Sequence, residues 1–439
     1  MSKRFKPFTL FLCIGIALFM AFGWRMLRTV TVPGPEWQET GPKEWEGVIT
    51  LWDYPRPVLG QGGSFDWITE KIKEFERANP GVFIELRPLD WEEGRIQLDL
   101  AVSYGTYPDI APVGCNLGYA DMGVLEPLDE LFDIGWQEEY MEYAVKAVSH
   151  RGSVWGVPLY AAAPVMLLNL ESFEAAGVEP PENGIWTYDG FVTALQQLTI
   201  DEDRDGKPEQ YGLGSFVMNG YYNLWGILFS DGWELFDPVT GGYRINTPEA
   251  VSGLEKLASL SREYGAAKED MAVCSPAQAW NGFAVKKQVA VYPEGPWAVL
   301  ELKNLQSQGR GFEFAAAGYP AGDRGVPVTV GDVAAYGLFR QPDPDRKRMC
   351  IEFIRHIARS IDHREIRERG LLTVLCGDNP EHEAAAHADE IVIIPRLENW
   401  AHVEDVLNSH IRQALLGNEE PSEALEAAQR EIDLYLKEN

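Results

Sequence analysis

Basic residues are scarce relative to acidic ones in this 439-residue chain: 38 Lys and Arg stand against 67 Asp and Glu, a formal net charge of −29. Phosphate backbones are held by clustered Lys and Arg, so the balance excludes nucleic acid as a partner and argues against a basic membrane-surface patch. It fits a soluble, self-repelling exterior. Cysteine is also sparse, five in all, with Cys115, Cys274, Cys350 and Cys376 scattered without metal-ligand spacing. Buried free thiols are the favoured reading, although pairing is open to an exported chain. Catalytic signatures are missing too: there is no phosphate-binding Gly-x-x-x-x-Gly-Lys-Ser/Thr loop and no Gly-x-Ser-x-Gly elbow. His382 and His387 imitate a zinc-peptidase helix, but a five-residue spacing turns them about 140° apart, where a shared metal needs a spacing of four. Carboxylates are so abundant that no glycosidase-like pair ranks above another.

Long apolar runs are absent except for one, Phe8–Trp24, flanked by Met1-Ser-Lys-Arg-Phe-Lys6 and Arg25-Met-Leu-Arg28. A basic leader before an apolar segment predicts export. Ala21 and Gly23 allow cleavage after Gly23, whereas the length of the run and the flanking arginines favour an uncleaved anchor, the reading preferred here. Either way the body lies outside the cytoplasm. Leu10-Phe11-Leu12 before Cys13 lacks the small residue of a lipoprotein signal, and residues 29–46, with Pro33, Pro35 and Pro42, read as a tether.

What is present is an unbroken alternation of strand and helix patterns. Val48-Ile-Thr-Leu-Trp52 reads as a strand running into a polar loop. A helix follows, with Ser64 as its cap and Phe65, Ile68, Ile72 and Phe75 on one face, stopping at Asn79-Pro-Gly81. Val82, Ile84 and Leu86 alternate as a second strand; a helix over about Trp91–Tyr104 leads to a third at Asp109–Val113. These spacings predict right-handed crossovers, a parallel sheet and ligands beyond its carboxyl ends, at Trp52-Asp53 and Gly114-Cys-Asn116. A hairpin across Arg151-Gly152 delivers Tyr160, and helices are expected over Glu171–Ala176, Thr187–Leu198, Thr247–Tyr264, Pro344–Ser360 and Pro421–Leu436. Gly331-Asp332 interrupts an apolar stretch. At this length two α/β lobes are the natural expectation.

Two sets of residues point to chemistry. Asp201, Asp203 and Asp205 occupy positions one, three and five of a loop with Gly206 at six and Glu209 at nine, as in the first part of a calcium loop. Converging carboxylates repel unless a hard cation lies between them. Gly212 stands where a twelfth-position glutamate belongs, so the expectation is a structural Ca2+ outside a helix–loop–helix. The second set is aromatic: Trp52, Tyr160, Tyr222, Trp225, Trp297 and Trp400 fall at strand ends and loop–helix junctions, Trp297 within Glu294-Gly-Pro-Trp. Aromatic faces with a few carboxylates and amides suit a sugar, which has an apolar C–H face and a belt of hydroxyls.

Phe75-Glu-Arg-Ala-Asn-Pro-Gly81, Tyr107-Pro-Asp-Ile110 and Glu294-Gly-Pro-Trp-Ala298, taken with the acidic loop in their order, resemble the extracellular solute-binding proteins of ABC transporters, carbohydrate-binding members above all. The resemblance implies a type II periplasmic-binding-protein-like fold, two mainly parallel α/β lobes around a hinged cleft. Residues 46–160 plus 331–376 would form one lobe and 161–330 plus 377–439 the other, after an N-terminal segment of 1–45. Crossings would fall near Tyr160–Ala163, Val328–Gly331 and Cys376–Asp378. It implies ligand-facing roles for Asp53 beside Trp52, for Asn116, Trp297 and Trp400, and for Tyr222 and Trp225, with Tyr160, Glu294 and Asp332 completing the set. It adds the Lys207 carbonyl to the calcium loop, and Ala162 stands where some members carry a cleft glutamate. The expected function is capture of a sugar, an oligosaccharide in particular, by a non-enzymatic monomer that hands it to an ABC permease. Alternatives are an anchored sugar sensor of the same fold and an anchored glycoside hydrolase.

Overall fold

The computed structural model describes residues 45–438 apart from 57–58, 60–63, 92, 130–135, 238–241, 363, 365, 367–369 and 377–389. The apolar segment 8–24, almost all of the tether, the His382/His387 segment and most of the third crossing lie outside those residues. Among the described residues no helix is long and apolar enough to cross a membrane.

The opening unit forms as its periodicity requires. Strand β1 (Gly47–Asp53) leads to helix α1 (Asp66–Ala78), which buries Ile68, Ile72 and Phe75 and ends at Asn79. Its N-cap is Phe65, without a side-chain bond, so Ser64 does not cap it. Strand β2 (Val82–Pro88), helix α2 (Gly94–Ser103) and strand β3 (Ile110–Pro112) follow. Helix crossovers make β2 and β3 parallel to β1, which lies between them. The predicted hairpin forms between Ser149–His150 and Ser153–Val154, with Arg151 and Gly152 both at positive φ, as a tight turn between twisted strands demands.

Strand β4 (Val157–Ala162) belongs to the first sheet, and three residues later β5 (Val165–Asn169) belongs to a second, four-stranded one. That second sheet also holds β6 (Tyr211–Leu213), β7 (Val289–Glu294) and β8 (Phe314–Ala317) in the order β8-β5-β7-β6. Strand β9 (Val328–Leu338) then returns to the first sheet, where β10 (Glu390–Ile393) pairs with its opening residues.

The second sheet is mixed rather than mainly parallel. Strand β5 runs antiparallel to both β7 and β8, and only β7–β6 is parallel. Direction is imposed only where a helix carries the chain back over the sheet; β5 enters directly from β4 and is under no such constraint. The Gly331-Asp332 interruption of the apolar stretch leaves the backbone pairing intact. Strand β9 runs unbroken through both residues, antiparallel to β4 and β3 and parallel to β10. Residues after β10 re-enter the second lobe, where helix α3 (Trp400–Leu415) packs on a core that includes Trp225, Phe229 and Trp233.

Candidate functional site

The carboxyl end of β1 carries Asp53, which is fully buried. Arg56, three residues on, grips both of its oxygens, Nη2 donating to Oδ1 at 2.8 Å and Nε to Oδ2 at 3.1 Å. The Tyr336 hydroxyl on β9 donates to Oδ2 at 2.6 Å, and Arg56 Nη1 donates to the Tyr160 hydroxyl at 2.5 Å. Burial alone would lower the Arg56 pKa, but Asp53 drives it well above the usual value. Asp53 therefore corrects the expectation of a ligand-facing carboxylate. Its lone pairs hold Arg56, and Arg56 holds the half-buried Tyr160 at the end of the first sheet.

A second Asp–Arg pair is open. Asp332 lies on β9 beside Ala162, and 43% of its side chain is exposed. Oδ1 accepts from the Cys115 thiol at 3.0 Å and from Val333 N at 2.8 Å; Oδ2 accepts from Arg396 Nη2 at 2.7 Å. Desolvation pushes the Asp332 carboxyl up, but Arg396 and these donors outweigh it and hold it below the usual range.

Arg396 is fixed from both sides. Its N–H donates to the Cys115 carbonyl at 2.9 Å, and its carbonyl accepts from Leu117 N at 2.7 Å, which docks the chain after β10 against the end of β3. A Cβ on Gly118 would come within 2.9 Å of the Glu398 backbone, so only glycine permits that approach. The Arg396 guanidinium stands 5.4 Å from the centroid of Tyr222 in the second lobe. Asn116 sits alongside Arg396, half-buried, and among the described residues its amide has no hydrogen-bond partner.

The aromatic set divides. Trp52, Trp225 and Trp400 are core residues, a correction to their reading as ligand-facing platforms. Trp52 packs among Leu89, Leu98, Val102 and Val113 with the Arg87 guanidinium 4.1 Å from its ring centre. Trp225 and Trp400 join Phe229, Trp233 and Tyr243 in the core of the second lobe. Tyr222 is buried too, its ring edge-on to Trp225. The physical reason is volume: a chain with 14 Trp fills cores with them, and position near a strand end does not decide which way a ring points. Trp297 does reach the surface, 43% exposed, with Trp280 at 4.8 Å. Glu294, at the end of β7, is buried and accepts from Gly295 N, Asn223 Nδ2 and the Tyr292 hydroxyl. Burial raises its pKa against those donors, so it orders the Gly-Pro-Trp turn from beneath.

One exposed platform was not anticipated. Trp91, three residues past β2 and 65% exposed, stacks on Tyr54, one residue past β1, at 4.4 Å and 12°. Burial, then Asp99, pushes the Tyr54 hydroxyl up to about 12, so it stays protonated at neutral pH. Gly94 makes the stack possible, since a Cβ there would lie 2.6 Å from the Tyr54 ring. Helical periodicity hid Trp91, because Trp91–Tyr104 reads as one helix, whereas α2 starts at Gly94. Arg56 and Arg396 were missed as well. Only the Asp-x-x-Arg spacing at Asp53 and Arg56 could have signalled the first.

In the acidic loop Asp201, Asp203 and Glu209 bring oxygens within 4.8 Å of one another, and Asp201 Oδ1 is buried without a partner among the described residues. Asp205 stands outside that group and accepts from Lys207 N at 2.8 Å. Cys115 and Cys350 are buried free thiols and Cys274 is half-buried, but Cys376 is exposed.

Two sheets joined by chain crossings, with the Asp332–Arg396 pair reaching the Tyr222 face where they meet, define a two-lobed protein. The profile of the bacterial extracellular solute-binding protein family matches residues 60–339, and the chain belongs to that family. A binding protein of Brucella abortus (strain 2308) is 22% identical over 392 residues, covering 84% of this chain and 90% of that protein. The structure of a cyclic α-maltosyl-1,6-maltose binding protein from Arthrobacter globiformis superposes with a TM-score of 0.71 at 21% identity, over 90% of this chain and all of the other. An ABC substrate-binding protein of Listeria monocytogenes in complex with cycloalternan gives 0.70 at 21%, with the same coverage. The type II two-lobed fold is thereby established.

Proposed function

We propose that this protein binds a sugar, an oligosaccharide in particular, between its lobes and delivers it to an ABC permease from outside the cytoplasm, without catalysing a reaction. The observation that carries this reading is the pairing of exposed aromatic faces beside the strand ends of both sheets with a fixed polar cluster where the sheets meet. Tyr54–Trp91 lies at one sheet's edge and Trp297 at the other's, with Asp332, Arg396 and Asn116 contributed around the junction. A pyranose ring has the same two-sided character, and stacking contributes about 0.5–1.5 kcal/mol per aromatic beyond area burial. Two stacks and a few hydrogen bonds reach the roughly −8 kcal/mol of micromolar affinity. The sugar ligands of the Arthrobacter and Listeria proteins support the same class. The carboxylates at these strand ends serve as hydrogen-bond anchors: Glu294 is buried beneath three donors and Asp332 is ion-paired.

The acidic loop belongs to this reading as a structural calcium site. Asp201, Asp203 and Glu209 would supply side-chain oxygens and Lys207 its carbonyl; the unpartnered Asp201 Oδ1 fits a hard cation. Residues 8–24 would anchor or export the chain. A thermal-shift screen of mono- and oligosaccharides, run with calcium and with chelator, tests both parts. Stabilisation by a saccharide, and by calcium in a manner abolished by Asp201→Asn, is expected. No response to any saccharide would remove the sugar reading, and indifference to calcium would remove the metal.

A further inference from the structure

Helix α3 carries a polar feature that the sugar reading does not use. Glu404 and Asn408 lie one turn apart on one face of it, and each is only 1% exposed. Both reach the same loop of the second lobe. Glu404 Oε1 accepts from Gly220 N at 2.6 Å, and Asn408 Nδ2 donates to Asn219 Oδ1 at 2.9 Å. Asn219 Nδ2 in turn donates to the exposed Asp405 at 3.1 Å. One oxygen of each buried side chain is left over. Glu404 Oε2 and Asn408 Oδ1 have no hydrogen-bond partner among the described residues, and neither has the hydroxyl of Tyr222, two residues past Gly220.

We propose that Glu404 and Asn408 hold a hard monovalent cation such as sodium between α3 and the Asn219–Tyr222 loop. Anchors on adjacent loop residues bring the two leftover oxygens to one narrow space, where two acceptors repel unless something positive lies between them. Glu404 adds a charge, and its one hydrogen-bond partner among the described residues is an uncharged peptide N–H. A carboxylate buried in this way needs an opposite charge or a metal ion beside it. The short contact from Gly220 N has the length of a charge-assisted bond, as an ionised carboxylate gives. Oxygen donors select hard cations, and one carboxylate among neutral oxygens balances one positive charge better than two. Trp400 Nε1, one turn before Glu404, is an unpartnered donor. A water between it and Glu404 would satisfy hydrogen bonds but leave the charge unopposed. The site is separate from the acidic loop, where Asp201, Asp203 and Glu209 converge, and it stands whether or not the ligand is a sugar. Its cation ties the loop that carries Tyr222 to the helix beneath it.

The test is thermal melting of the protein in sodium chloride against choline chloride at equal ionic strength, about 0.15 M, with a calcium chelator present throughout. Sodium is then titrated into the wild type, Glu404→Gln and Asn408→Ala. The wild type should melt about 2–5 °C higher in sodium, in a saturable manner. Glu404→Gln replaces the charge with an N–H that can donate to Asn408, so its melting should be the same in both salts to within about 1 °C. Asn408→Ala removes one oxygen and should raise the sodium midpoint about tenfold, which keeps the answer independent of how Glu404→Gln folds. Equal melting of the wild type in the two salts overturns the proposal and leaves a buried water alone. A sodium response retained in full by Glu404→Gln, or a midpoint unmoved in Asn408→Ala, places the cation elsewhere and overturns it as well.

Discussion

Asp53–Arg56 and Asp332–Arg396 are two ion pairs anchored on the first sheet, Asp53 at the end of β1 and Asp332 inside β9, and both aspartates read as ligand contacts. In the folded protein the first pair is sealed under Tyr336 and Tyr160, whereas the second keeps 43% of the aspartate and 21% of the arginine side chain exposed. A buried ion pair whose two carboxylate oxygens and three guanidinium nitrogens are all engaged is a structural part, because a ligand has no exposed atom of it to reach. A half-exposed ion pair with bonds left over is equipped for recognition. Completeness of hydrogen bonding separates the two roles more sharply than residue type or position does.

The largest expected effect breaks the sealed pair. Arg56→Met leaves the Asp53 charge buried and unopposed, and urea unfolding should show a loss of about 3–5 kcal/mol. Asp332→Asn should cost less than about 1 kcal/mol of stability, because an exposed pair is screened by solvent; equal losses in the two variants would erase the distinction. The same contrast holds for aromatics. Trp400→Ala opens a cavity in the second core and should cost about 3–5 kcal/mol, whereas Trp91→Ala should leave unfolding nearly unchanged and weaken saccharide binding by about 2- to 12-fold, the equivalent of one stacking contact.

A smaller effect appears with pH. The Asp332 carboxyl is held below its ordinary value of about 3.9, so the pair's contribution is fully present above that pH and fades as pH falls through the lowered folded value. The stability difference between wild type and Asp332→Asn should therefore be flat from pH 5 to 7 and shrink below about pH 4. A difference that grew on acidification would reverse the sign of the argument.

The first lobe was legible because its signals are local. Period-two strands, the Ile68–Ile72–Phe75 face and the Asn79-Pro-Gly81 stop each specify structure within one turn or strand, and β1–α1–β2 follows directly. The antiparallel placement of β5 was not legible, since it depends on where the chain crosses between lobes. The site divided in the same way. Trp297 could be proposed from a strand end and Asp332 from the family resemblance, but whether Trp52, Trp225 and Trp400 face a ligand or a core is a matter of side-chain direction. Arg396 escaped notice because its partners, Cys115, Asp332 and Tyr222, are remote in sequence. Trp91 escaped because it was counted into a helix that starts three residues later.

A sugar that bridges the two lobes favours the closed state of a hinge. Small-angle scattering of the wild type, with and without a saturating saccharide that binds by calorimetry, measures this directly. A decrease in the radius of gyration on binding is predicted; an unchanged radius at full saturation would place the sugar somewhere other than between the lobes.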